Sequence, residues 1–269
     1  MKRVGLIGFG KAGKAVASIL MQSEEVELEW IMRRTRKLEH RSAQEFLGFQ
    51  STYDTLIYSI EEMSAAVLLD EKPVDFIVDF SSAQGVYYYG EAAAERGTTV
   101  ISTISLYPEE NLSYLRSLAK RTRVLYSPNI TIGINFLIVA ARILKSIAPY
   151  TDIEVIEQHY KTKPEISGTA KVIASRLGLP QEEIKTIRAG GIISNHEILF
   201  GFPYQTVRLK HEAISREAFG NGVLFILSNM PEAETGLFTV EDLMVPYFRT
   251  HTSKEALLER GKKLWWQVS

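Results

Sequence analysis

Residues 3–21 read RVGLIGFGKAGKAVASILM, and no other stretch limits the fold so severely. An apolar run, Val4–Ile7, leads straight into Gly8-Phe9-Gly10-Lys11-Ala12-Gly13. KAVASILMQSEE then places its apolar residues at helical spacing, and a second apolar run, VELEWIM, spans Val26–Met32. Gly-x-Gly-x-x-Gly between a strand and a helix has a physical reading. The first glycine permits the tight turn, the second lets backbone approach a pyrophosphate, and the third lets the helix pack on the sheet. The helix N-terminus then offers unpaired N–H groups to the phosphates. The spacing predicts a strand–turn–helix–strand unit that holds a dinucleotide through Gly8, Gly10, Lys11, Ala12 and Gly13.

The end of the second strand speaks to which dinucleotide. An NAD site places an acid there to hold the ribose hydroxyls. Here the residues are Met32-Arg33-Arg34-Thr35-Arg36-Lys37, with no acid. Arg33 and Arg34 stand where a 2′-phosphate would sit, and a guanidinium fork matches phosphate geometry. The sequence therefore favours NADPH over NADH as cofactor. The competing reading is a solvated basic loop.

Strands and helices go on alternating through residue 129. VDFIVDFS, TTVISTIS and VLYSPN read as buried strands separated by helical stretches. Helices are expected around SAQEFLGF and SIEEMSAAVLLD, and the three tyrosines at 87 to 89 read as helix surface and packing. This alternation predicts an α/β, Rossmann-type doubly wound parallel sheet. Ligands in such sheets sit beyond the carboxyl ends of the strands. That points to Phe80, Ser81 and Ser82, to Ser102 and Thr103, and to Ser127 and Asn129. After Asn129 the pattern changes without a Pro/Gly linker. A long apolar helix, an alternating run DIEVIEQHY, a helix SGTAKVIASRLG, three strand-like runs in 186–213 and a further helix predict an α+β second domain with a mixed sheet. The expected division is 1–129 plus 241–269 for the nucleotide domain, with the helix KEALLERGKKLWWQ packing back on it, and 130–240 for substrate binding and oligomerisation.

Composition excludes several classes. The chain has no cysteine, which removes disulfides, thiolate metal sites and cysteine nucleophiles. Its 31 basic and 32 acidic side chains leave a formal net charge of -1, against nucleic-acid binding by bulk charge. The N-terminal apolar run breaks into glycines too early for a signal peptide, and no stretch suits a membrane span. A soluble cytoplasmic protein is the expectation. There is no His-Glu-x-x-His, no adjacent pair of histidines and hence no metal constellation to propose.

The stretch 157–174, EQHYKTKPEISGTAKVIA, gathers a histidine, a lysine and a helix start. Taken singly, each has a plain structural reading. A histidine on a strand is often packing, a lysine is often a surface charge, and Ser-Gly-Thr is often a helix cap. His196 and His211 fall on alternating strands and read as structural, while His40 and His251 fall in polar loops. Several motifs in order nevertheless resemble the dihydrodipicolinate reductase family. They are His159 with Lys163 and Ser167-Gly168-Thr169-Ala170, then SPNITIGIN, RAGGIISNHEILF, HEAISREAFGNG and TGLFTVEDL. The chain departs from the family pattern at four places: Tyr160 stands for a second histidine, Ser102-Thr103-Ile104-Ser105 for a Gly-Thr-Thr-Gly loop, Lys11-Ala12-Gly13 for a turn with Arg-Met, and the spacing from Lys163 to Ser167-Gly168-Thr169 is one residue shorter.

The resemblance implies NADPH-dependent reduction of 4-hydroxy-tetrahydrodipicolinate, a small anionic dicarboxylate of lysine (diaminopimelate) synthesis, by a homotetramer. It implies His159 as proton donor and Lys163 as partner of a carboxylate or of developing charge. Tyr160, Ser167, Gly168 and Thr169 would bind substrate. Two other readings stay open: a divergent NADPH-dependent imine or amino-acid-type reductase, and a non-catalytic NADPH-binding sensor.

Overall fold

The computed structural model describes residues 1–49, 54–105, 107–232 and 234–249. The helix expected over 254–267 and His251 lie outside them. Among the described residues two sheets organise the molecule. The first strand β1 (Lys2–Ile7), helix α1 (Lys11–Met21) and β2 (Val26–Arg33) form the unit predicted from the glycine motif. Then come α2 (Ala43–Leu47), β3 (Leu56–Ser59), α3 (Ala65–Glu71), β4 (Phe76–Asp79), α4 (Gly85–Glu95), β5 (Thr99–Ser102), α5 (Glu109–Leu118) and β6 (Arg123–Tyr126). Val4, Leu6, Ile77, Val78, Val100, Ile101, Val124 and Leu125 are all shielded from solvent, as expected for parallel strands covered on both faces.

The second half holds α6 (Ile132–Ile147), β7 (Asp152–His159), α7 (Gly168–Arg176), β8 (Lys185–Arg188), β9 (Asn195–Phe202), β10 (Gln205–Glu212) and α8 (Glu217–Asn229). A short strand β11 (Gly236–Phe238) and α9 (Val240–Arg249) follow. The seven-stranded sheet runs β11-β6-β5-β4-β1-β2-β3, with every pair parallel. The four-stranded sheet runs β10-β9-β7-β8; β7 and β8 are parallel, the other two pairs antiparallel. This is the doubly wound sheet plus mixed sheet that the alternation predicts.

Two differences have clear causes. The helical stretch expected from Ser59 starts only at Ala65, where Ser64 caps it by accepting from the Val67 N–H. The residues just before it, Leu56–Ser59, pair with β2 as an edge strand instead. Inside the segment 130–240, α8 and β11 belong with the first sheet. Val223, Ile226 and Leu227 of α8 join the core that holds Val16 and Leu20 of α1, and β11 hydrogen-bonds to β6. The chain thus leaves the first sheet after β6, builds the mixed sheet, and returns with α8. Glu241 of α9, almost fully buried, closes the return by pairing with Arg142 of α6 (3.0 Å) and Arg176 of α7 (2.9 Å).

Candidate active site

Two of the glycines at the β1–α1 turn are locked by the protein, and one is open. Gly8 has φ +97, and a Cβ there would meet the Phe80 backbone at 2.6 Å. A Cβ on Gly13 would lie 2.0 Å from the Gly8 carbonyl oxygen. Gly10, extended and exposed, would meet nothing within 4 Å. It is also the N-cap of α1 with no side-chain cap, so the first N–H groups of that helix face outward unpaired by a side chain. Such an end suits an anionic phosphate. At the end of β2, Arg33 is half-buried; its guanidinium donates to the Lys37 carbonyl (2.5 Å), and its Nε has no protein partner. Arg34 is exposed.

The other strand ends are built around a buried carboxylate that sequence reasoning missed. Asp79, at the end of β4, is fully buried. Its Oδ1 accepts from the Ser81 N–H (2.8 Å) and hydroxyl (2.5 Å), and its Oδ2 accepts from the Tyr89 hydroxyl (2.8 Å). Burial pushes its pKa up to about 6, against the pull of those hydrogen bonds. The Asp79 carbonyl takes the Thr103 N–H (3.1 Å) and hydroxyl (2.7 Å). Ser102 shares a hydrogen bond with Tyr107 (2.8 Å), and the Ser127 hydroxyl donates to the Asn129 carbonyl (2.7 Å). The hydroxyls expected to face a ligand are therefore spent on shaping the strand ends. What those ends present to a ligand is chiefly backbone and the half-buried Phe80 ring, which packs on Phe219.

Across from them lies the second-half cluster. On the covered face of the mixed sheet, β7 carries Val155, Glu157 and His159 in succession, because residues two apart share a face. Val155 joins Ile198, Phe200 and the apolar faces of α6 and α7. Toward the carboxyl end of β7 that core gives way to Glu157 and His159, both buried. Register brings the rest: His196 on β9 stands opposite Glu157, and Arg188 on β8 opposite His159. Glu157 Oε1 accepts from Arg188 (2.6 Å), and Oε2 accepts from the Ser167 N–H (3.0 Å). His159 Nδ1 lies 3.1 Å from Oε2, close enough for an ion pair but out of line for a hydrogen bond. The His196 Nε2 shares a hydrogen bond with the Ser167 hydroxyl (3.0 Å), and its ring meets that of His159 edge-on, centroids 5.5 Å apart.

Ser167 also accepts from the Ala170 N–H (3.1 Å) as the N-cap of α7. The Thr169 hydroxyl accepts from Asn129 Nδ2 (3.1 Å), and a Cβ on Gly168 would come within 3.7 Å of the Ser105 carbonyl oxygen. The start of α7 therefore abuts the ends of β5 and β6. Lys163 is half-buried, and its ammonium pairs with no acid among the described residues. Its carbonyl is held by Arg188 Nε (3.1 Å). Tyr160 is 43% exposed, beside His159.

Electrostatics follow from this packing. Burial lowers the His159 pKa; Glu157 pulls it back up, while Lys163 and Arg188 push it further down. For Glu157, burial alone would raise the carboxyl, but the hydrogen bonds from Ser167 and Arg188 outweigh it and hold the group ionised, below its usual range. Burial, reinforced by repulsion from His159, drives His196 down to about 3, so it is neutral at any working pH. Glu157, His159 and His196 bring ligand-type atoms within 4.8 Å of one another, a grouping the sequence did not suggest. Both Glu157 oxygens are already taken by Arg188 and Ser167, which makes the group a hydrogen-bonded network. Glu39, His40 and Glu62 form a second such grouping, largely exposed.

Glu157 and Arg188 were absent from the sequence-level candidates, and His196 was read as structural. The only sequence signal for Glu157 was its place two residues before His159 on a strand, hence on the same face.

Comparisons with known proteins identify the family. The chain matches the family models for dihydrodipicolinate reductase, N-terminus, over residues 2–130 and C-terminus over 130–244. It is 27% identical over 259 residues to the 4-hydroxy-tetrahydrodipicolinate reductase of Caldanaerobacter subterraneus subsp. tengcongensis, covering 87% of this chain and 94% of that protein. It is 25% identical over 258 residues to the enzyme of the same name from Methanocorpusculum labreanum, covering 87% and 95%. The fold is similar to a dipicolinate-bound dihydrodipicolinate reductase from Paenisporosarcina sp. TG-14, with TM-score 0.73 and 21% identity over 90% of this chain and 99% of that one. It is also similar to an amine dehydrogenase from Mycobacterium smegmatis, with TM-score 0.65 and 13% identity over 89% and 95%. With the two family models spanning residues 2–244 and these two relatives matched over more than nine-tenths of their own length, the chain belongs to the dihydrodipicolinate reductase family.

Proposed function

We propose that the protein reduces 4-hydroxy-tetrahydrodipicolinate to tetrahydrodipicolinate with NADPH, and that His159 supplies the proton. One observation carries this reading: the N-terminus of α7, beside His159 and Lys163, abuts the strand ends where a Rossmann sheet holds its nicotinamide. On this reading a hydride donor and an anion clamp meet at one place.

The Gly8–Gly13 turn and the start of α1 suit the pyrophosphate, and Arg33 and Arg34 suit a 2′-phosphate. Bound there, NADPH supplies the hydride. The cofactor half contributes position through the backbone around Phe80–Ser81, Ser102–Thr103 and Ser127–Asn129. On the substrate side, the N–H groups of Gly168 and Thr169, with the Thr169 hydroxyl, suit one carboxylate, and Lys163 suits the other. Hydride adds to the conjugated ring, and the two electrons it brings appear as negative charge on the acceptor. The His159 imidazolium neutralises that charge with its proton; the ring is conjugated because the 4-hydroxyl has already left as water, taking a proton from the adjacent ring carbon. Lowered by burial, His159 starts largely neutral near pH 7. A bound dianion raises its proton affinity where the proton is needed.

The dipicolinate in the Paenisporosarcina reductase is a ring dicarboxylate of the kind this site would take. Tyr160, in place of the family's second histidine, is where a different ring substrate would be selected. The experiment is NADPH oxidation with freshly generated substrate. Turnover supports the reading; NADPH binding without turnover would shift it to another imine substrate or to a sensor.

A further inference from the structure

We propose that Glu157 is a positioning residue for the proton transfer: it holds the His159 imidazole at Nδ1, so that the proton given to substrate leaves from Nε2. The inference rests on the reading of His159 as proton donor. Its support is the way Glu157 is held. This carboxylate is completely buried, yet it keeps two fixed donors of its own, the Arg188 guanidinium on Oε1 and the Ser167 N–H on Oε2. A buried charge without such partners would be expensive, so the network is arranged to keep an anion there. The oxygen that takes the Ser167 N–H is the one 3.1 Å from His159 Nδ1. Even at that distance Nδ1 makes no hydrogen bond in the resting site, and such bonds often tighten only once substrate is bound.

The groups facing His159 come from every neighbouring element. Glu157 lies on its own strand, Arg188 on β8, His196 on β9 and Lys163 on the following loop, with His211 of β10 opposite His196 in register. Arg188 and Lys163 are cations and repel an imidazolium. His196 is neutral and hydrogen-bonded to Ser167, so it cannot compete as a charge. Glu157 is the single anion in this set. It alone can favour the protonated ring, and it alone can fix the neutral ring as the Nδ1–H tautomer. The transfer balances simply: the Nε2–H bond breaks, its proton goes to the reduced substrate, and neutral His159 keeps Nδ1–H toward Glu157 until solvent restores the proton.

The test combines imidazole nitrogen NMR of the free protein with kinetics of Glu157→Gln. In wild type, neutral His159 is expected as the Nδ1–H tautomer. A neutral Nε2–H form would overturn the proposal, whether or not any variant folds. In Glu157→Gln the tautomer should become mixed and the His159 pKa should fall. With substrate, kcat should fall about a hundredfold, as for loss of general acid catalysis, with KM and NADPH affinity nearly unchanged. Glu157→Asp should restore part of the tautomer preference and part of the rate. An unchanged tautomer and pKa in Glu157→Gln, or a loss confined to KM, would also overturn it. If wild type fails to turn over the expected substrate, the functional reading fails, while the NMR result still decides the role of Glu157.

Discussion

The two halves of the proposed site present their chemistry in different ways. The nucleotide half works with backbone: an open Gly10, the uncapped start of α1, and strand ends whose hydroxyls are already committed to Asp79, Tyr107 and Asn129. The substrate half works with side chains: His159, Glu157, Arg188, His196 and Lys163, brought together by strand register. The contrast fits what each half must recognise. Phosphates are alike in every dinucleotide, and a row of N–H groups meets them all. A substrate that must gain a proton needs a group whose charge changes near neutral pH.

The comparison can be broken most sharply at His159. His159→Gln should lower kcat by about 10²–10⁴-fold with NADPH affinity unchanged, read by steady-state rates and by fluorescence titration of the cofactor. An equal loss of cofactor affinity would mean that the halves are not separable in this way.

Acid stability should also come from the substrate half. His196 and His159 have folded-state pKa values below the unfolded histidine value. Below about pH 6.5 these two sites therefore bind more protons in the unfolded chain than in the folded one, and their contribution to stability falls as pH drops toward 3; Asp79, raised to about 6, works in the opposite direction at its own site. His196→Asn should flatten that fall in denaturant unfolding measured across this range.

The glycines divide the nucleotide half further. Gly13→Ala puts a methyl against the Gly8 carbonyl and should cost about 1–3 kcal/mol of stability. Gly10→Val has room in the protein and should leave stability nearly unchanged, while weakening NADPH binding by tenfold or more, about 1.4 kcal/mol. Thermal melts beside binding titrations separate the two. Equal loss of stability in both would remove the argument that Gly10 faces ligand.

The smallest effects should come from Ser167→Ala. Loss of the α7 N-cap should cost about 1 kcal/mol in denaturant unfolding. Because the Ser167 N–H stays on Glu157, the rate should fall less than for Glu157→Gln.

How much was legible in the sequence follows the same division. The β1–α1–β2 unit could be read because its determinants are six consecutive residues whose spacing has one physical meaning. His159, Lys163 and Ser167–Thr169 also lie within eleven residues. Arg188 and His196 could not be linked to them, since they are 29 and 37 residues beyond His159 and only strand register brings them near. Asp79 reads as the end of a buried strand, and nothing local says that its carboxylate would hold both Ser81 and Tyr89. The short strands β3 and β11 were missed because three or four residues show no period of their own; pairing with β2 and β6 defines them. The return of α8 to the first sheet is invisible locally, since an apolar helix face does not say which sheet will cover it.

In the proposed reaction one site joins hydride transfer from a backbone-held nicotinamide to proton transfer from His159. The most direct measurement is the rate of NADPH oxidation with freshly generated 4-hydroxy-tetrahydrodipicolinate, for wild type and His159→Gln, alongside NADPH binding to each. Turnover is expected in wild type, with a loss of orders of magnitude in the variant and equal NADPH affinity in both. Undiminished turnover in His159→Gln would contradict that role for His159.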